Sequence, residues 1–195
     1  MFPRVIALRV AEKYLAGLIG VTTQRFIVGS VRRQKPFVKD VEILFIPRTE
    51  RRPSRADMFT VEDFDLAGHW ITEQVRLGLL EKRRKADGTV AWGNRIKLAR
   101  EVESGVPLDF FATTGACWFN QLGCRTGPAS LNIEISKRAQ ARHCMWNPTG
   151  PGFTDMETGT VHRMESEEAV FKFVGLPYLK PWERTNWEAE INERK

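Results

Sequence analysis

Cysteine is scarce in this 195-residue chain: Cys117, Cys124 and Cys144 are an odd number with wide spacing, so they cannot all pair. That usage argues for reduced thiols in an intracellular setting rather than a disulfide framework. No paired C-x-x-C spacing supports a zinc site built on Cys117, Cys124, His143 or Cys144. No apolar run approaches the ~20 residues a bilayer span needs. Met1-Phe2-Pro3-Arg4, followed by Arg9, Glu12 and Lys13, lacks a secretory leader, so a cytoplasmic protein without a membrane partner is expected. There is no Gly-x-Ser-x-Gly elbow, and His69, His143 and His162 have no triad-like context, which turns the reading away from hydrolases. Internal repeats and low-complexity segments are missing too. Negative charge is in deficit, with 30 Lys+Arg against 24 Asp+Glu and a net charge of +6. This excess fits a polyanionic partner without demonstrating one.

What is present is most concentrated between residues 26 and 46. The apolar run Phe26-Ile27-Val28 leads into Gly29-Ser30-Val31-Arg32-Arg33, and Asp40 and Glu42 follow within the largely apolar run from Phe37 to Ile46. Residues two apart in a strand point to one side, so the two carboxylates would project together. They repel unless a cation lies between them, and converging oxygens favour a hard divalent ion such as magnesium. A Gly-Ser turn ten residues upstream offers backbone N–H groups and a hydroxyl, the groups that hold phosphate oxygens. Metal and phosphate together suggest a nucleotidyltransferase.

Around this stretch the pattern predicts a helix over 3–19, with Pro3 in the first turn, and strands over 24–28 and 38–46. Residues 47–55 read as a polar loop whose four arginines, Arg48, Arg51, Arg52 and Arg55, either touch a phosphate backbone or are simply solvated. A helix is expected over 64–80, a charged exit over 81–85, and a turn at Asp87-Gly88 before a strand over 89–92. Strands over 95–99 and 106–112 come next. The second carries Asp109 inside an apolar run, where an acid is costly to bury unless paired or metal-bound. Short helices are expected over 116–122 and 132–141, with a turn at Thr126-Gly127-Pro128. A helix capped by Ser166 starts near 166, and the charged tail after Trp187 is expected to fray. Most of the six tryptophans are expected to be core or half-buried residues rather than base-stacking platforms.

These residues, in this order, resemble family X DNA polymerases, the group that includes DNA polymerase beta. The resemblance lies in Gly29-Ser30-Val31-Arg32-Arg33 with Asp40 and Glu42; in Leu108-Asp109-Phe110; in Thr126-Gly127 with Asn132; in the segment from Glu165 to Arg184; and in Pro3-Arg4. It implies an α+β fold: a nucleotidyltransferase palm over 1–112 with a mixed sheet and flanking helices, and a small carboxy-terminal α+β subdomain that selects nucleotides over 113–195. It implies a minimal form without the family's amino-terminal lyase and helix-hairpin-helix region. Asp40, Glu42 and Asp109 would be the catalytic metal ligands for two magnesium ions, with manganese able to substitute. Arg4, Gly29, Ser30, Arg33, Arg125, Thr126, Gly127 and Asn132 would bind the nucleotide. Asn132 is equally readable as a capping or surface residue, and Arg125 as an exposed one.

Departures from the family pattern are specific. Glu42 stands where these polymerases usually have aspartate, Cys124-Arg125 replaces the aromatic pair before the Thr-Gly turn, and Ser136 stands where an arginine often reads the template. The implied function is DNA-directed addition of deoxynucleotides to a primer 3′-hydroxyl, in gap filling or repair. The implied partners are a nucleoside triphosphate and primer-template or gapped DNA, and the expected state is a monomer. Two rivals stand beside it: a template-independent or non-DNA nucleotidyltransferase acting on RNA, protein or a small molecule, and a catalytically dead nucleic-acid-binding module.

Overall fold

The computed structural model describes residues 1–54 and 59–194; Arg55 of the four-arginine segment lies outside them. The fold is α+β, organised around a five-stranded mixed sheet in the order β2-β4-β9-β8-β7. Its strands are β2 (Thr22–Val28), β4 (Val41–Pro47), β9 (Pro107–Ala112), β8 (Ile96–Glu101) and β7 (Leu80–Lys82). The central pair β4 and β9 runs parallel, and every other neighbouring pair is antiparallel.

Alternation along the two central strands sorts their side chains onto two faces. Val41, Ile43 and Phe45 of β4, with Leu108 and Phe110 of β9, join one core with helix α1 (Arg4–Gly17) and helix α3 (Leu66–Arg76). From α1 this core takes Ala7, Val10, Ala11 and Tyr14, the helical spacing expected of a buried stripe. Asp65 caps α3 by accepting a hydrogen bond from the Gly68 amide at 2.8 Å. On the other face Leu44, Phe111 and Val28 pack with Trp118 and Leu122 of helix α4 (Trp118–Thr126).

The carboxy-terminal part has its own core. Leu131, Ile135 and Ala139 of helix α5 (Ala129–Gln140) meet Phe153 and Trp146 from a three-stranded antiparallel sheet. That sheet is β10 (Cys144–Trp146), β11 (Gly152–Asp155) and β12 (Val161–Arg163). Val170 and Phe171 of helix α6 (Glu167–Phe173) close it, with Ser166 capping α6 through the Ala169 amide at 3.0 Å.

Several local expectations differ from the structure. Gly29-Ser30 opens a short helix, α2 (Gly29–Arg32), instead of a plain turn. The acid-bearing strand is broken: β1 (Phe2–Pro3) pairs with β3 (Phe37–Val38), and β4 starts only at Val41, which puts Asp40 in the link between them. Residues 47–55 do not form a loop throughout, because β5 (Thr49–Pro53) pairs with β6 (Val61–Asp65). The five residues of β5 are exposed on both sides, so apolar alternation gave no signal there. Residues 89–92 do not form a strand; single bridges Arg84–Val90 and Trp92–Lys97 replace it. Thr126 ends a helix instead of opening a turn, and α5 begins at Ala129, ahead of Asn132. The charged tail is tied down as helix α7 (Trp187–Glu193), with Ile191 buried and the Trp187 indole donating to Ser130 at 3.0 Å.

Candidate active site

The parallel register of β4 and β9 sets Glu42 directly beside Asp109. Both lie on the face opposite the α1 and α3 core, as the burial of their neighbours Val41, Ile43, Leu108 and Phe110 requires. Asp40, two residues before Glu42, is close enough that its charge raises the pKa of both. The structure therefore brings Asp40, Glu42 and Asp109 together. Burial, reinforced by the Asp40 charge, pushes the Glu42 carboxyl up to about 7; Arg125 and Arg33 pull it down and Asp109 adds a smaller rise. Burial also raises Asp109, although a 2.6 Å ion pair to Arg83 Nη2 opposes it. Crowded carboxylates, with Glu42 and Asp109 above their ordinary pKa, form a donor set that a hard divalent cation would relieve.

Beside the acids lies a hollow of about 260 Å³ whose lining includes Ser30, Arg33, Lys35, Lys39, Asp40 and Glu42. Four of these supply a hydroxyl or positive charge and two supply the acids. The Ser30 hydroxyl oxygen and Arg33 Nε are buried without hydrogen-bond partners among the described residues. Buried polar atoms of this kind call for a partner, and phosphate oxygens suit both. Gly29 has a φ of +66°, and a Cβ there would collide with the Glu42 carboxylate. Arg4 lies at the start of α1 and donates from Nε to the Val31 carbonyl at 3.3 Å, so it adjoins α2 but does not line this hollow.

The remaining candidates sit on α4 and α5. Thr126 is fully buried; its hydroxyl donates to Leu122 at 2.7 Å and accepts from Arg32 Nη1 at 2.5 Å. Its backbone carbonyl accepts from Arg33. A Cβ at Gly127, whose φ is +62°, would come within 3.3 Å of the Arg33 guanidinium. Arg125 stacks on the Phe111 ring at 3.6 Å and lines a second hollow of about 200 Å³ with Arg95, Thr113 and Gln121. Asn132 donates to the Cys124 carbonyl at 2.9 Å, which is a capping contact, and its Oδ1 is buried without a partner among the described residues.

Three features escape sequence reasoning. Arg83, within the segment expected to be a mere charged exit, is the cation paired to Asp109. Lys35 and Lys39 line the hollow beside the acids. Arg32 grips Glu167 of α6 with two hydrogen bonds of 2.9 and 2.5 Å. Glu167 also holds the fully buried Arg184 at 2.9 Å. Cross-sheet and cross-chain pairs of this kind leave no local sequence signature.

The fold thus joins a mixed sheet that carries clustered acids beside a Gly-Ser helix start to a separate carboxy-terminal α+β core. Residues 122–185 match the DNA polymerase beta thumb family. No curated protein matches the sequence. Among solved structures, the Leishmania infantum polymerase beta ternary primer–template complex is similar with a TM-score of 0.72 and 18% identity, over 94% of this chain and 76% of that one. The ternary gap complex of the same Leishmania enzyme gives 0.71 and 18%, over 94% and 70%. The chain thus has the polymerase beta fold, with a segment over residues 122–185 that matches the beta-type thumb.

Proposed function

We propose that this chain is a DNA-directed DNA polymerase that adds deoxynucleotides to a primer 3′-hydroxyl by a two-metal mechanism, in gap filling or repair. The observation that carries the reading is the in-register placement of Glu42 and Asp109 on adjacent parallel strands, with Asp40 alongside and a cationic hollow next to them. The similar solved structures, which are complexes with primer–template and gapped DNA, support DNA as the partner.

In this reading residues 1–112 form the palm and 113–195 the nucleotide-selecting subdomain of a cytoplasmic monomer. No helix among the described residues is long and apolar enough to cross a membrane. Asp40, Glu42 and Asp109 would hold two magnesium ions, for which manganese could substitute. Magnesium bound there would lower the pKa of the attacking hydroxyl and neutralise charge on the triphosphate and departing pyrophosphate. Ser30 and Arg33 hold phosphate oxygens, with Gly29 permitting close backbone approach and Arg4 adding charge next to α2. Arg83, paired to Asp109, opposes the rise that burial gives this carboxyl and fixes its orientation. Gly127, Thr126 and Asn132 shape the nucleotide side of the junction, and Arg125, braced on Phe111, stands where the sugar would pass. Little covalent chemistry falls to the protein; positioning and charge account for the rate.

Primer extension on gapped, recessed and single-stranded DNA tests the proposal, with each deoxynucleotide offered against each template base. Templated, magnesium-dependent incorporation is expected, falling about 10²–10⁴-fold in Asp109→Ala, which amounts to roughly 3–5 kcal/mol of transition-state stabilisation. Incorporation on every DNA no greater than in Asp109→Ala would refute it. Nucleotide transfer to RNA or protein alone would instead identify a non-DNA nucleotidyltransferase.

A further inference from the structure

Away from the acids, the thumb sheet brings three different ligand types to one place. Cys144 of β10 pairs directly with Asp155 of β11, while His162 of β12 pairs with Phe153. Residues 153 and 155 share a face of β11, so the register sets Cys144, Asp155 and His162 on the same side of the sheet. Their sulfur, oxygen and ring nitrogen atoms all lie within 4.8 Å of one another. Ligands about 2.0–2.3 Å from a tetrahedral ion stand roughly 3.3–3.8 Å apart, so small side-chain rotations would close the set.

Each ligand is also held. The Asp155 Oδ1 atom accepts from the Glu157 and Thr158 amides at 2.9 and 2.8 Å, which fixes the carboxylate and leaves its second oxygen for another partner. The His162 ring lies against Phe173 at 5.2 Å. Cys144 is a free thiol only 5% exposed, whereas Asp155 and His162 are half-buried and keep a path to solvent. A thiolate with an imidazole selects a borderline-soft ion over magnesium. We propose that Cys144, Asp155 and His162 form a zinc site that clips the three thumb strands together, with its fourth position open to water or another ligand. The site is separate from the Asp40, Glu42 and Asp109 cluster and does not depend on the polymerase reading.

Cobalt(II) titration of the full chain, purified with reduced thiols and stripped of metal, tests the site. One equivalent is expected to give thiolate-to-cobalt charge-transfer absorption with the intense visible bands of four-coordination. Zinc should abolish both signals, and about a hundredfold excess of magnesium should leave them. Cobalt held by the palm carboxylates gives no thiolate band, so the readout distinguishes the two places. Cys144→Ser should remove the band. Asp155→Asn and His162→Gln, at half-buried positions that spare the core, should each weaken cobalt affinity by at least about tenfold. Absence of a thiolate band in the native chain overturns the proposal. So does a band that survives Cys144→Ser, or one whose affinity is unchanged in both Asp155→Asn and His162→Gln.

Discussion

Glu167→Gln removes one charge from the junction between the two cores while nearly preserving shape. In the native chain the Glu167 carboxylate takes three hydrogen bonds, two from Arg32 at 2.9 and 2.5 Å and one from Arg184 at 2.9 Å. Arg184 is fully buried, stacked over Phe171 at 4.9 Å and tied through Nε to the Leu179 carbonyl. Arg32 is only 14% exposed. Replacing the carboxylate by an amide leaves two guanidinium groups facing a neutral acceptor, with no other carboxylate in contact with either among the described residues. Breaking a buried pair in this way costs about 3–5 kcal/mol. Arg32 retains some solvent, and guanidinium is weakly hydrated, so the lower end, about 3 kcal/mol, is expected. At about 2–4 °C per kcal/mol for a chain of this size, melting should fall by roughly 6–12 °C. Differential scanning calorimetry measures the shift. Arg32→Met, which leaves the Glu167–Arg184 pair intact, should cost less than half as much. A Glu167→Gln melting point within about 2 °C of native would refute the reasoning and mark the network as a surface-like one.

Three further outcomes follow from the geometry. Gly29→Ala forces a left-handed alanine, costing about 1–2 kcal/mol; because its Cβ displaces the Glu42 carboxylate, magnesium-dependent incorporation should fall at least about tenfold while melting drops only a few degrees. Glu42, raised to about 7, must lose a proton to bind a cation, so apparent magnesium affinity should weaken by up to about tenfold per pH unit below 7 and level off above it; equal affinities at about pH 6 and about pH 8 would contradict this. Burial would push the Glu101 carboxyl up, but hydrogen bonds from Lys13 and Ser104 outweigh it and hold the group below its ordinary value. Its stabilisation is therefore present above the unfolded carboxylate pKa and lost as pH falls through the folded one. Glu101→Gln should melt below native near pH 7, and the gap should shrink as pH falls below the ordinary carboxylate pKa.

Charge and spacing within a few residues were readable from the chain alone. Glu42 on its strand, the capped helix at Ser166 and an acid inside the apolar run at Asp109 express local geometry, because strand alternation and helix ends are set by neighbours in sequence, whereas Asp40 falls in the link before β4 and Gly29-Ser30 opens a helix instead of a turn. Composition likewise excluded membrane-spanning helices and disulfide scaffolds. Tertiary structure decided what chain separation hides. Parallel pairing of β4 and β9 puts Glu42 against Asp109, Arg83 reaches Asp109 from beyond β8, and Arg32 meets Glu167 from 135 residues away. Strand β5 was invisible because all five of its residues are exposed, which removes the apolar alternation that marks a strand. Cys144, Asp155 and His162 converge only because three short strands share one register. A sequence records which groups exist and how their nearest neighbours orient them. The electrostatics of a site depends on which of those groups end up within a few ångström, and only the packed sheets fix that.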